Sequence, residues 1–121
     1  MILQVVDANG VTQQIAVAAP GTPVDRSGTC DGLSNAIMDA VADGFVRSGW
    51  LVQNKSQTAQ SMTINDLGDD ADESPTCVNL APGEFFPPAN YPVTQGQISL
   101  KGADGDAFMA REWLTPIEAE A

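Results

Sequence analysis

Gly49-Trp50-Leu51-Val52-Gln53-Asn54 opens, and Phe108-Met109-Ala110-Arg111-Glu112-Trp113 closes, the stretch whose reading decides the fold. Between the two tryptophans, short apolar runs alternate with Gly, Pro, Asn and Asp, the pattern of a small all-β domain. Ser61 to Asn65 alternates, with Met62 and Ile64 on one face and Ser61, Thr63 and Asn65 on the other. Ile98 and Leu100 alternate with Ser99 and Lys101 in the same way. Cys77, Val78 and Leu80 form a short run that ends at the strong turn pair Pro82-Gly83. Glu84-Phe85-Phe86 ends at Pro87-Pro88, and Gly102 to Asp106 reads as a tight turn before the last strand. Several short strands parted by turn signals favour a small sandwich or jelly roll, with a barrel as the third option.

Working outward, the segment before this stretch is ambiguous. Leu33, Ile37, Val41 and Phe45 recur at helical spacing, yet Gly28, Gly32 and Gly44 interrupt it. Strands are favoured from Val24 to Gly44, with a helical turn over Leu33 to Met38 as the alternative. Ile2 to Val17 reads as two extended runs around Asn9-Gly10, a pair suited to a type I′ turn. A hairpin is the natural reading and an extended arm the alternative. Ala18-Ala19-Pro20-Gly21-Thr22-Pro23 breaks regular structure and serves as a linker. The expected organisation is a hairpin or arm with linker over 1–23, a β-sandwich over 24–115 and a frayed acidic tail over 116–121.

Composition excludes several function classes. The net charge is −11, from 16 acidic and 5 basic residues. Only Lys55, Lys101, Arg26, Arg47 and Arg111 are cationic, so nothing resembles a footprint for phosphate backbones or an anionic membrane. Neither nucleic acid nor membrane is expected as a partner. The N-terminus has no basic region ahead of an apolar core, so a secretory signal is not expected. No apolar run approaches the roughly 20 residues that span a bilayer. Cys30 and Cys77 are the only cysteines and lie far apart in sequence. Two reduced, buried thiols are favoured over a long-range disulfide.

Catalytic chemistry finds little support. The chain has no histidine, so Ser-His-Asp and Cys-His arrangements are impossible. No metal site and no cofactor is expected. Asp69, Asp70, Asp72 and Glu73 offer oxygen ligands, but not in the order of a calcium loop, and read as a solvated acidic loop. Trp50 and Trp113 are expected as core pins. Adjacent strand residues face opposite ways, so one of Phe85 and Phe86 should leave the core. The expectation is a building or binding part and not an enzyme.

The order of the motifs adds a resemblance. Gly49-Trp50-Leu51-Val52-Gln53-Asn54, Ile64-Asn65-Asp66-Leu67-Gly68, Leu80-Ala81-Pro82-Gly83-Glu84, Gly102 with Gly105-Asp106-Ala107-Phe108, and Ala110-Arg111-Glu112-Trp113 follow one another. This order resembles that of small structural proteins of tailed bacteriophages, over about the last two-thirds of the chain. The resemblance implies a virion component on the capsid surface, assembled in the host bacterial cytoplasm. A capsid decoration, or cement, protein is the leading expectation. Its partners would be the major capsid protein and its own copies, as a homo-oligomer, dimer or trimer. The alternative is a tail or fibre module that binds a host surface glycan. Ile2, Val5, Val11 and Ile15 in the arm, with Phe85, Phe86 and Tyr91, are the candidate protein-interaction residues.

Overall fold

The computed structural model describes residues 21–72 and 74–117, together with the backbone of Ile2–Val6 and Thr12–Ala16. The fold is all-β: two antiparallel sheets pack face to face as a small sandwich. One sheet holds β3 (Thr22–Asp25), β11 (Ala107–Pro116), β6 (Phe45–Asn54) and β9 (Phe85–Phe86) in that order, with β4 (Gly28–Thr29) also paired to β11. The other holds β5 (Asn35–Met38), β10 (Ile98–Lys101), β7 (Met62–Asn65) and β8 (Val78–Leu80). β1 (Ile2–Val6) and β2 (Thr12–Ala16) pair antiparallel as a separate hairpin.

The two motif strands, β6 and β11, form the spine of the first sheet. They pair from Phe108↔Asn54 to Pro116↔Phe45. Trp50, Val52, Phe108 and Ala110 face inward and are buried. Met38, Met62, Ile64, Leu80, Ile98 and Leu100 of the second sheet are buried in the same cluster. Period-2 alternation thus supplies both inner faces, which interdigitate in the usual way of aligned sandwiches.

The structure corrects three expectations. Trp113 is not a core pin. It follows the inward Glu112, so alternation turns it to the outer face, where it is half-buried. There it lies opposite Gly49, and a Cβ on Gly49 would come within 3.5 Å of its ring. Second, the expected linker already contains sheet: Thr22–Asp25 is β3, with Pro23 opposite Trp113. β3 is an edge strand, where the missing N–H of proline is tolerated. Asn35–Met38 is strand, the favoured reading, and not the alternative helical turn. Finally, the acidic loop is not simply solvated. Ala71 is buried, its N–H donates to Ser34 Oγ (2.8 Å), and the Asn65 side chain donates to Asp70 O (3.3 Å). The segment after β7 therefore folds back over the outer face of the second sheet, while Asp69 and Asp70 stay exposed.

Among the described residues, both cysteines are free; Cys30 is buried and Cys77 half-buried. The hairpin register pairs Val6 with Thr12. This is one residue out of step with a two-residue turn on Asn9-Gly10, which would pair Ala8 with Val11. Asn9, Gly10 and Val11 lie outside the described residues.

Candidate functional site

The polar motif residues form two structural hubs, one at each end of the sandwich. At the end where β3 begins and β11 stops, Arg47 is fully buried beneath the sheet. Alternation from Trp50 alone would turn Ser48 inward and Arg47 outward. A bulge reverses it: Trp113 pairs with Gly49 but Leu114 pairs with Arg47, so Ser48 is the extra residue. Inside, Arg47 Nε donates to Glu112 Oε1 at 3.1 Å. Its Nη1 donates to Thr94 O (2.7 Å) and Gly96 O (2.9 Å), and Nη2 to Asp39 O (2.9 Å). Arg26, half-exposed, donates to the other Glu112 oxygen at 2.9 Å. Gln95 completes the set by bonding Arg47 N and O in a reciprocal pair. One guanidinium thus ties β6 and β11 to two loops.

The opposite end is closed by neutral turn chemistry and one carboxylate. Asn54 Nδ2 donates to Gln60 O (2.8 Å) and Leu80 O (2.9 Å), while its Oδ1 accepts from Ser56 N (2.8 Å). Asp106 accepts from Ser56 Oγ and Thr58 Oγ1, each at 2.9 Å. The Pro82-Gly83 turn docks on the same residue, with Gly83 N donating to Asn54 O at 2.8 Å. Its φ of +84° is one that glycine adopts freely. Asn65 does similar work after β7, where its Oδ1 accepts from Leu67 N at 2.8 Å. The motif asparagines, Glu112 and Asp106 are framework residues.

Titration follows from these surroundings. Burial, with Asp106 and Asp31 nearby, pushes the Cys30 thiol up to about 11. A Cβ on Gly102 would lie 2.6 Å from Cys30 Sγ, so the glycine makes room for that thiol. Tyr91 donates to Asp66 Oδ2 at 2.7 Å, and this bond raises its pKa. Asp25, Asp31 and Asp72 are lowered because each accepts local hydrogen bonds, chiefly from Ser27, from Leu33 and from Ser74.

The candidate interaction residues separate into distinct places. Phe85 is 53% exposed and Phe86 only 8%. Phe86 packs in the core against Trp50 (5.4 Å between ring centroids) and Tyr91 (5.0 Å). It is therefore not a surface contact, because alternation gives the pair one inward place and Phe86 takes it. Tyr91 is half-buried and lines a small cleft of about 290 Å³ with Asp66, Leu67, Val93 and Thr94. In the hairpin register Val5 pairs with Gln13, Ile15 with Leu3 and Ile2 with Ala16. Val11 lies outside the described residues.

The sequence reading missed three features. Arg47 was hidden by the bulge. Leu33, Phe45, Leu67, Val93 and Ile117 are exposed apolar residues that period-2 patterning alone does not single out. A groove of about 580 Å³ opens on the outer face of the second sheet. Its floor includes Asn79, Thr63 and Lys101, which are direct cross-strand partners, and Gln60, Ser61, Ser74 and Cys77 line its sides. Comparison of the chain with protein-family models, with curated proteins and with solved structures finds no match in any of the three.

Proposed function

We propose that the chain is a non-catalytic virion component of a tailed bacteriophage. In this reading it is a capsid decoration protein that stabilises the head by binding the major capsid protein and its own copies. The motif order supports the phage origin. The attachment role rests on one observation: among the described strands, β1 and β2 pair with each other and with nothing else. A lone two-stranded hairpin is marginal in water. Such an element gains stability by lying on a partner surface, and a boundary between capsid subunits is a surface of that kind. Many equivalent sites on a shell then multiply weak single contacts.

Cryo-electron microscopy of virions carrying this chain tests the reading directly, with density for the sandwich expected on the head. Heads without such density would overturn it. Deleting residues 1–20 should leave the sandwich folded by circular dichroism and reduce co-sedimentation with heads by more than about tenfold.

The outer groove favours a second reading, a tail or fibre module for a host surface glycan. Its hydroxyl and amide lining suits sugar hydroxyls, although none of its lining residues is aromatic. Glycan-array binding that is lost in Thr63→Val and Asn79→Leu variants would support it. An empty array would remove it.

A further inference from the structure

We infer that the outer face of the first sheet is the surface by which this chain docks on a capsid subunit. The inference rests on the decoration reading and deepens it, by assigning the contact to one face of the sandwich and by stating the chemistry of the surface that meets it.

Register fixes the members of this face. Trp50, Val52, Phe108 and Ala110 are buried, so alternation turns their strand neighbours to the other side. Pro23, Trp113 and Gly49 are cross-strand partners and form one row. Asp25, Arg111 and Leu51 form the next. Met109, Gln53 and Phe85 form the third. The rows follow one another along β6 and β11, so the face is continuous and reaches all four strands of the sheet. Pro23, Arg111 and Phe85 are exposed, and Trp113, Leu51 and Met109 are half-buried.

The two outer faces of the sandwich differ in kind. The outward side of an antiparallel sheet is ordinarily polar. The second sheet follows that rule with Thr63, Asn79 and Lys101 across three strands. The first sheet breaks it, with Trp113, Leu51, Met109 and Phe85 on its outer side. Aromatic residues, Met and Arg are the side chains that protein interfaces concentrate, while Lys, Glu, Asp and Ser are depleted there. The same composition argues against a glycan. Leu51 and Met109 offer sugar hydroxyls no partner, and the Gln53 amide already donates to Gly83 O at 3.1 Å.

Charge gives the partner its sign. The chain carries −11, yet Asp25 is the only carboxylate in these rows, and Arg111 stands directly opposite it. Two further charges border the third row. Lys55 follows β6, with its N–H donating to Ala107 O. Glu84 precedes Phe85, and its carboxylate accepts from Ala81 N at 2.9 Å. The face is therefore balanced in charge on a strongly acidic chain. Arg26 and Arg47 are both held by Glu112, whereas Arg111 has no hydrogen-bonded partner among the described residues. An acidic partner is repelled by the chain as a whole and is met here by a guanidinium that can take a carboxylate in two parallel bonds. The complement of this face is a protein surface that is apolar at its centre and sets a carboxylate opposite Arg111.

Co-sedimentation of the full chain with heads purified free of it tests this. Arg111→Glu and Lys101→Glu make the same change in charge on opposite sheets. Arg111→Glu should weaken head binding by more than about tenfold, and Lys101→Glu by less than about twofold. Phe85→Ser, at a position 53% exposed, should weaken it by about fivefold with the melting temperature unchanged. Asp25→Asn removes the only carboxylate of the rows and should tighten binding, a gain that misfolding cannot produce. Head binding unchanged by both Arg111→Glu and Phe85→Ser overturns the inference, and so does an equal loss in Lys101→Glu. Weaker association of copies in either face variant, measured by sedimentation without heads, overturns it as well, because the face would then belong to a second copy. A native chain that binds heads as well as all these variants do sinks this inference alone. A native chain that does not bind heads sinks the decoration reading, and this inference with it.

Discussion

The two ends of the sandwich solve the same problem with different chemistry. Both must close a slot between two sheets where strands become loops and backbone groups lose their ladder partners. The Arg47 end uses a buried ion pair, with one guanidinium serving Glu112 and three loop carbonyls. The Asn54 end uses a neutral amide that satisfies two carbonyls and one N–H. A buried charge is expensive to desolvate and is retained only when fully partnered. What it gives in return here is reach. Arg47 spans from β6 to the loops at Asp39 and at Thr94–Gly96, which the shorter Asn could not do. The charged end is also the one where the arm enters and where Phe45, Leu67, Val93 and Ile117 are exposed. Fixing those loops holds a surface in place, whereas the amide end closes tight turns.

Breaking the charged hub should have the largest effect. Arg47→Ala leaves Glu112 buried beside only the half-exposed Arg26 and orphans three carbonyls, so a loss of about 3–5 kcal/mol is expected in chemical denaturation. The double variant Arg47→Met with Glu112→Leu should be less damaging than the sum of the singles, because it leaves no unpaired buried carboxylate. Additive losses would show that the two side chains act independently. At the other end, Asn54→Ala removes bonds between neutral groups, with an expected loss of about 1–3 kcal/mol. If it equalled the loss for Arg47→Ala, the distinction between a charged and a neutral closure would fail.

The sequence shows these two ends unequally. The strands, their inward faces and the Pro82-Gly83 turn follow from alternation and from residues with few conformational options. Asn54 is the last residue of a strand read directly from the sequence, and the side chain of an asparagine there has few uses besides capping. Arg47 was not legible. Its inward position depends on one bulge, which exists only in the pairing of β6 with β11, residues far apart in the chain. Trp113 was misassigned for a different reason: alternation from the inward Phe108 and Ala110 gives Glu112 the inward place, but a carboxylate there looks out of place until Arg47 is seen to pair with it. The exposed apolar residues of that end were equally hidden, because Phe45, Leu67, Val93 and Ile117 come from four separate segments and share an end only through topology.

Alkaline pH probes both ends in one experiment. Cys30 belongs to the Asn54 end, since its N–H donates to Asp106 O, and Tyr91 belongs to the Arg47 end through Asp66. Both groups are raised in the folded state. Folding therefore favours their protonated forms. The stability they contribute is complete below their ordinary pKa values, and it is lost as pH rises through the folded ones. For Cys30 that window runs from 9.0 to about 11, and the loss at its top is about 2–3 kcal/mol. A melting temperature that falls over this range should fall less in Cys30→Ala, measured against that variant's own value at pH 8. Tyr91→Phe should flatten only the part of the curve above the ordinary tyrosine pKa. A curve unchanged by Cys30→Ala would mean that the thiol titrates normally and is not enclosed.

The smallest effects should come from the exposed phenylalanines, and there the comparison turns from stability to assembly. Phe45 stands at the Arg47 end, and Phe85 stands on the outer face of the first sheet beside Gln53. Phe45→Ser and Phe85→Ser should each change stability by no more than about 0.5 kcal/mol, since neither side chain is buried. Their effects on association should differ. Phe45→Ser should weaken contact between copies, measured by sedimentation, because its exposed ring stands at the end whose loops Arg47 holds in place. Phe85→Ser should leave that association unchanged, because it stands on the outer sheet face beside Gln53, toward the Asn54 end. If Phe85→Ser proved the more disruptive, the contact between copies would lie on the sheet face and not at the Arg47 end.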